Sequence, residues 1–137
     1  MTGYVLDDTL LRALAQGDDD VANLIASLDA RNVRMAVPVN TLLMAQAGLS
    51  DEQSEYLNAV VERVPHIRLD DLTELDHISA IARVEAWIRE PEDIAAAHAL
   101  ALAKLLDCPI LTLDLQRWKR PQTAVPWQVR LIEYRQE

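Results

Sequence analysis

Three aspartates stand where the chain passes from apolar runs to helical patterns. Asp7 follows Tyr4-Val5-Leu6, Asp114 follows Pro109-Ile110-Leu111-Thr112-Leu113, and Asp93 opens the apolar stretch from Ile94 to Leu106. Carboxylates gathered at one place repel one another unless a cation sits among them. Hard divalent cations prefer oxygen ligands, and Mg²⁺ takes only one or two carboxylates while keeping several waters. A metal held in this way can activate water and neutralise charge on a phosphodiester under in-line attack, with no nucleophilic side chain. Each acid also has a plainer reading, because aspartate is a favoured helix N-cap. Asp93 can cap its helix, Asp114 the turn from Leu115 to Lys119, and Asp7 or Asp8 the first helix.

Arg117-Trp118-Lys119-Arg120 comes directly after Asp114 and is expected near the mouth of any such pocket. Its cations could grip phosphates and Trp118 could stack on a base. An ordinary solvated loop explains a patch of this size equally well. His66, His77 and His98 have no mutual spacing that suggests zinc and read as structural or surface residues. Trp87 reads as packing. The lone Cys108 excludes an intramolecular disulfide and a cysteine-based metal site.

The elements that must position these residues follow from periodicity. Tyr4–Leu6 is a short strand, and Leu10, Leu11, Leu14 and Ala15 mark a helix closed by Gly17. A second helix starts near Asp18, where Asp18, Asp19 and Asp20 suit the positive end of its dipole. Arg34–Val37 reads as a strand, and Asn40 or Thr41 as the cap of a helix running to Gly48. Ser50 and Gln53 match a capping box for a helix that stops before Pro65. A strand over His66–Leu69 leads to a long helix from Leu72 to about Arg89. Ile94 to Leu106 is apolar almost all round, the mark of a helix buried in a layered core. Pro109–Leu113 and Gln128–Ile132 complete five strands.

Alternating short apolar strands and helices imply an α/β fold with a parallel sheet covered on both faces. Ligands of such sheets sit outside the carboxyl ends of the strands. That rule puts Asp7 and Asp114 on one edge. It leaves Asp93 open, because a helix rather than a strand precedes it.

The 137 residues suit one domain spanning 1–137, and half of them are apolar, so a disordered chain is excluded. No apolar run approaches the ~20 residues of a membrane span, and the opening MTGYVLDD has no signal-peptide pattern. A cytoplasmic location is expected. The net charge of -9 argues against broad nonspecific binding of nucleic acid but leaves room for an acidic metal pocket.

Taken together and in order, three segments resemble the PIN-domain family, in particular the short VapC-type toxins of bacterial toxin–antitoxin pairs. They are Tyr4-Val5-Leu6-Asp7-Asp8-Thr9, Asp93-Ile94-Ala95-Ala96-Ala97 and Ile110-Leu111-Thr112-Leu113-Asp114. The resemblance covers nearly the whole chain. It implies a three-layer α/β/α domain with about five parallel strands and Mg²⁺- or Mn²⁺-dependent endoribonuclease activity. Asp7, Asp93 and Asp114 would be the catalytic metal ligands, supported by the hydroxyl of Thr9 or Thr112. It further implies a cognate antitoxin that inserts a basic residue among the acids, and a homodimer through the early helices. One departure matters. The family has a Glu on the helix after the second strand, and Met44 stands at that position here. A thioether is a poor ligand for a hard cation. Asn40, Gln46 and Asp8 offer oxygens nearby, but Asp8 is expected to point away from Asp7 if the strand stays extended. The resemblance therefore implies either a ribonuclease toxin or a catalytically inactive PIN-type module that binds RNA or a protein partner. A structural protein whose acids are only caps is the third reading.

Overall fold

The computed structural model describes residues 3–135, so Met1 and Thr2 of the opening segment lie outside it. Five strands, β1 (Gly3–Leu6), β2 (Arg34–Pro38), β3 (Ile67–Asp70), β4 (Ile110–Thr112) and β5 (Leu131–Glu133), form one sheet in the order β3-β2-β1-β4-β5. All four pairings are parallel. The chain leaves β1 toward β2 on one side and adds β4 on the other, so strand order reverses between β1 and β4. Crevices at such reversals are where α/β sheets place their ligands.

Helices cover both faces. Val5 of β1 and Ile110 of β4 point into one core, while their neighbours Leu6 and Leu111 point into the other. This two-residue alternation is the pleat of a strand buried on both sides. Against the first face pack α1 (Asp8–Ala15), α2 (Asp19–Ala30) and α4 (Asp51–Arg63), through Leu10, Leu14, Val21, Ile25 and Leu57. Against the second pack α5 (Leu75–Ile88) and α6 (Ile94–Leu106), through Ile81, Val84, Leu100 and an alanine-rich face of α6. Small side chains let α6 lie close to the sheet, and eight of its residues from Ala95 to Leu102 are buried in succession. Helix α3 (Val39–Gln46) leaves β2 directly and packs against both α1 and α6. Among the described residues, no helix is long and apolar enough to cross a membrane.

Local signals place the element ends. Asp18 caps α2, and Ser50 with Gln53 forms the expected reciprocal capping box on α4. Gly17 takes φ +87, a left-handed conformation that costs glycine nothing. Several boundaries differ from the sequence reading. Helix α3 begins at Val39 with Pro38 at its cap position and no side-chain cap, because Asn40 and Thr41 are drawn to partners on α6. Helix α5 starts at Leu75 rather than Leu72. Strand β5 starts at Leu131 rather than Gln128, since pairing begins where Leu131 meets Ile110. The stretch after Asp114 is two single-turn helices, α7 (Leu115–Trp118) and α8 (Pro121–Ala124), not an open loop.

Candidate functional site at the carboxyl edge

Each of the three aspartates is an N-cap. Asp7 Oδ1 accepts from the Leu10 N–H at 3.0 Å, Asp93 Oδ1 from Ala96 N–H at 3.1 Å, and Asp114 Oδ1 from Gln116 N–H at 2.9 Å. The cap reading and the placement at the carboxyl edge are thus both met. A helix that starts at this edge needs an acceptor for its free N–H groups, and the same carboxylate then faces the crevice.

Asp7 is wholly buried. The Thr9 hydroxyl donates to its Oδ1 at 2.7 Å, and the indole N–H of Trp118 donates to its Oδ2 at 2.8 Å. Burial pushes its pKa above the ordinary aspartate value, against the opposing pull of Thr112, Trp118, Leu10 and Thr9. The two hydroxyls expected to support the acids do meet here, with Thr9 Oγ1 and Thr112 Oγ1 3.2 Å apart. Thr9 Oγ1 also accepts the Leu113 N–H at 3.1 Å, which ties the start of α1 to the end of β4.

Asp93 has a different neighbour. Arg117 grips it with two bonds, Nη1 to Oδ2 at 2.5 Å and Nη2 to Oδ1 at 2.9 Å, and reaches Asp8 Oδ1 through Nε at 2.9 Å. The guanidinium carbon also lies 4.9 Å from the centre of the Trp118 ring. Burial raises the Asp93 pKa, and the Arg117 pair more than offsets this, so the carboxyl sits below its usual range. Burial likewise works against the Arg117 charge, but Asp93 and Asp8 outweigh it and its pKa is raised. Asp8 therefore faces the pocket, contrary to the extended-strand expectation. Strand β1 ends at Leu6, and Asp8 is already the first residue of α1, which turns its side chain toward Arg117.

Asp114 is exposed at the N-cap of α7. Among the described residues, the set of three potential ligand side chains whose donor atoms converge within 4.8 Å is Asp70, His77 and His98, not the aspartate trio. Within the trio, Arg117 occupies Asp93 and Trp118 occupies Asp7.

The basic segment after Asp114 also differs from its expected role. Arg117 is committed to two carboxylates, and Trp118 is fully buried, so no base can stack on it. Arg120 donates to the carbonyls of Ile88 and Glu90 at the end of α5. Lys119 remains exposed. One turn of helix rotates the side chains inward, which composition could not reveal. The Met44 side chain, which the resemblance aligns with a Glu, is exposed, and its carbonyl accepts from Arg12 at 2.8 Å. Gln46 donates to Asn58, and Asn40 is engaged by His98, so neither amide turns to the acids.

Two groups were missed by spacing. Glu85 Oε1 accepts the Asp93 N–H at 2.9 Å, and its other oxygen is buried with no partner among the described residues. His77 and His98, read as unrelated, both approach Asp70 Oδ2 at 2.7 Å. They are 21 residues apart, on the neighbouring helices α5 and α6, a separation that no local motif encodes.

No protein-family model matches the chain, and no curated protein matches its sequence.

Proposed function

We propose that this chain is a PIN-type domain that keeps the acid-bearing helix caps but not the hydrolytic centre, and that it works as a binding module for a protein partner. The observation that carries this reading is Arg117, whose guanidinium spans Asp8 and Asp93 where a divalent cation would have to bind. Arginine is a permanent cation with a fork that matches carboxylate geometry, so a metal must displace two charge-assisted contacts to enter. Asp7 Oδ1 already accepts from Thr9 and Leu10 and its Oδ2 from Trp118, so a metal would compete with three donors there. Met44 supplies no replacement ligand. The family assignment itself rests on the three motifs and on the sheet they occupy.

A protein partner is favoured over RNA by the net charge of -9 and by the internal use of Arg117, Trp118 and Arg120. The test is incubation of a fluorescent RNA panel with the full chain in Mg²⁺ and in Mn²⁺, alongside Arg117→Met and Arg117→Met/Met44→Glu. The expected result is no cleavage and no retention of RNA at physiological salt by the native, folded chain. Metal-dependent cleavage by the native chain overturns the proposal in favour of a ribonuclease toxin with a cognate antitoxin. Cleavage that appears only in Arg117→Met identifies a nuclease latched by its own arginine and likewise overturns it.

A further inference from the structure

A second constellation lies on the same edge of the sheet, at its β3 end. Asp70 is the last residue of β3, His77 lies in the first turn of α5, and His98 lies in the second turn of α6. Three elements thus bring one carboxylate oxygen and two imidazole nitrogens to a point. Both Nε2 atoms lie 2.7 Å from Asp70 Oδ2, and the rings meet edge to face with centres 5.4 Å apart. His98 is wholly buried, and the side chains of His77 and Asp70 are 11% and 28% exposed.

We infer that Asp70, His77 and His98 form a binding site for a transition-metal dication of the Zn²⁺ class, independent of the acid pocket. The donor set decides the class of ion. Imidazole nitrogens suit Zn²⁺ and its neighbours, whereas Mg²⁺ and Ca²⁺ take oxygen ligands. Three protein ligands leave one tetrahedral position for water, and the partly exposed Asp70 side marks where solvent reaches it. Tetrahedral Zn²⁺ at its usual bond lengths of about 2.0–2.1 Å needs donor atoms roughly 3.3 Å apart, so the ligands open by about half an ångström. Two of the three can do this by small χ rotations at the rim of the site.

Asn40 supplies the second layer. Its side-chain amide lies 3.3 Å from His98 Nδ1, and its backbone N–H lies at 3.4 Å, the long limit of a hydrogen bond. Without metal, each imidazole presents Nε2–H to Asp70. With metal, each must present the Nε2 lone pair, so its single proton moves to Nδ1. A half-turn of the Asn40 amide then places its oxygen to accept the Nδ1–H of His98, while the Asn40 backbone N–H gives up its long 3.4 Å contact; such an outer partner orients metal-bound histidines. The ion would fasten the start of α5 to the sheet edge and to α6. The first residues of α5 have little else to hold them, since Leu75 is 79% exposed and Glu74 makes no side-chain cap.

The test uses chelator-treated full-length chain titrated with Zn²⁺ by calorimetry, and with Co²⁺ by visible absorption. One equivalent of Zn²⁺ is expected, with a rise in Tm and a ligand-field band for Co²⁺ typical of a nitrogen-containing site. His77→Ala, which removes one ligand from the partly exposed edge of the site, is expected to abolish both signals in a chain that still folds. Asn40→Ala is expected to weaken binding by about 10–100-fold. Asp93→Asn, in the other pocket, is expected to leave stoichiometry and affinity unchanged. No Zn²⁺ binding by the folded native chain, or binding that survives His77→Ala, overturns the proposal and leaves a purely hydrogen-bonded cluster.

Discussion

The carboxyl edge of this sheet holds two polar clusters with opposite solutions to one problem. At the β1–β4 crevice, carboxylates are neutralised by a guanidinium that cannot lose its proton. At the β3 end, a single carboxylate oxygen is shared by two imidazole nitrogens. The first arrangement is already occupied, because Arg117 donates to Asp8 and Asp93 and Trp118 to Asp7. The second keeps its donors on ligating atoms, with a neutral His98 favoured by burial against the opposing pull of Asp70. Cations supplied by the chain make a pocket rigid and chemically quiet. Imidazole donors around one carboxylate leave it open to an ion.

Substitutions at four sites sharpen this contrast. The largest effect is expected at Trp118, the largest fully buried side chain. Trp118→Ala removes the ring from the core and strips Asp7 Oδ2 of its donor, at a cost of about 3–5 kcal/mol in chemical denaturation. Trp118→Phe keeps most of the ring and isolates the lost N–H, at about 1–3 kcal/mol. If both cost the same, packing rather than the Asp7 contact is irrelevant to the closure.

Next comes Arg117→Met, which leaves Asp8 and Asp93 facing each other unpaired. Removing one partner of a buried ion pair costs about 3–5 kcal/mol, and the partial exposure of these groups lowers the expected loss to roughly 2–3 kcal/mol. An unchanged denaturation midpoint would show that the pair is only a surface contact.

The smallest effects are pH-dependent, and their signs oppose. Asp7 has its pKa raised in the folded state, so the fold holds that proton more tightly than the unfolded chain does. Stability from this group is full below the ordinary value of 3.8 and is lost as pH rises through the raised folded value. Asp93 has its pKa lowered, so its contribution is present above 3.8 and is lost as pH falls through the depressed value. Denaturation curves across this acid range should therefore fall on both sides, with Asp93→Asn flattening the acid limb and Asp7→Asn the limb above it. A monotonic profile in the native chain contradicts this division of the two aspartates.

Much of the fold was readable along the chain. Ser50 and Gln53 announce a helix start, Asp18 another, and the unbroken Ala/Leu pattern after Asp93 marks a helix buried among neighbours. The parallel sheet followed from short apolar runs between helices. The caps of Asp7, Asp93 and Asp114 were legible for the same reason, since a cap depends on residues two or three positions away. Arg117 was legible only as a charge near the pocket. Its turn toward Asp8 and Asp93 depends on a single helical turn at Leu115–Trp118, which composition does not encode.

By itself the sequence determined the elements, their order and the three acids at their boundaries, because these depend on near neighbours in the chain. The tertiary structure alone decided what the acids do. Arg117 meets Asp8 across 109 positions, and His98 meets Asp70 across 28. Contacts at such separations are set by the packing of helices on the sheet, and packing is a property of the whole chain rather than of any segment.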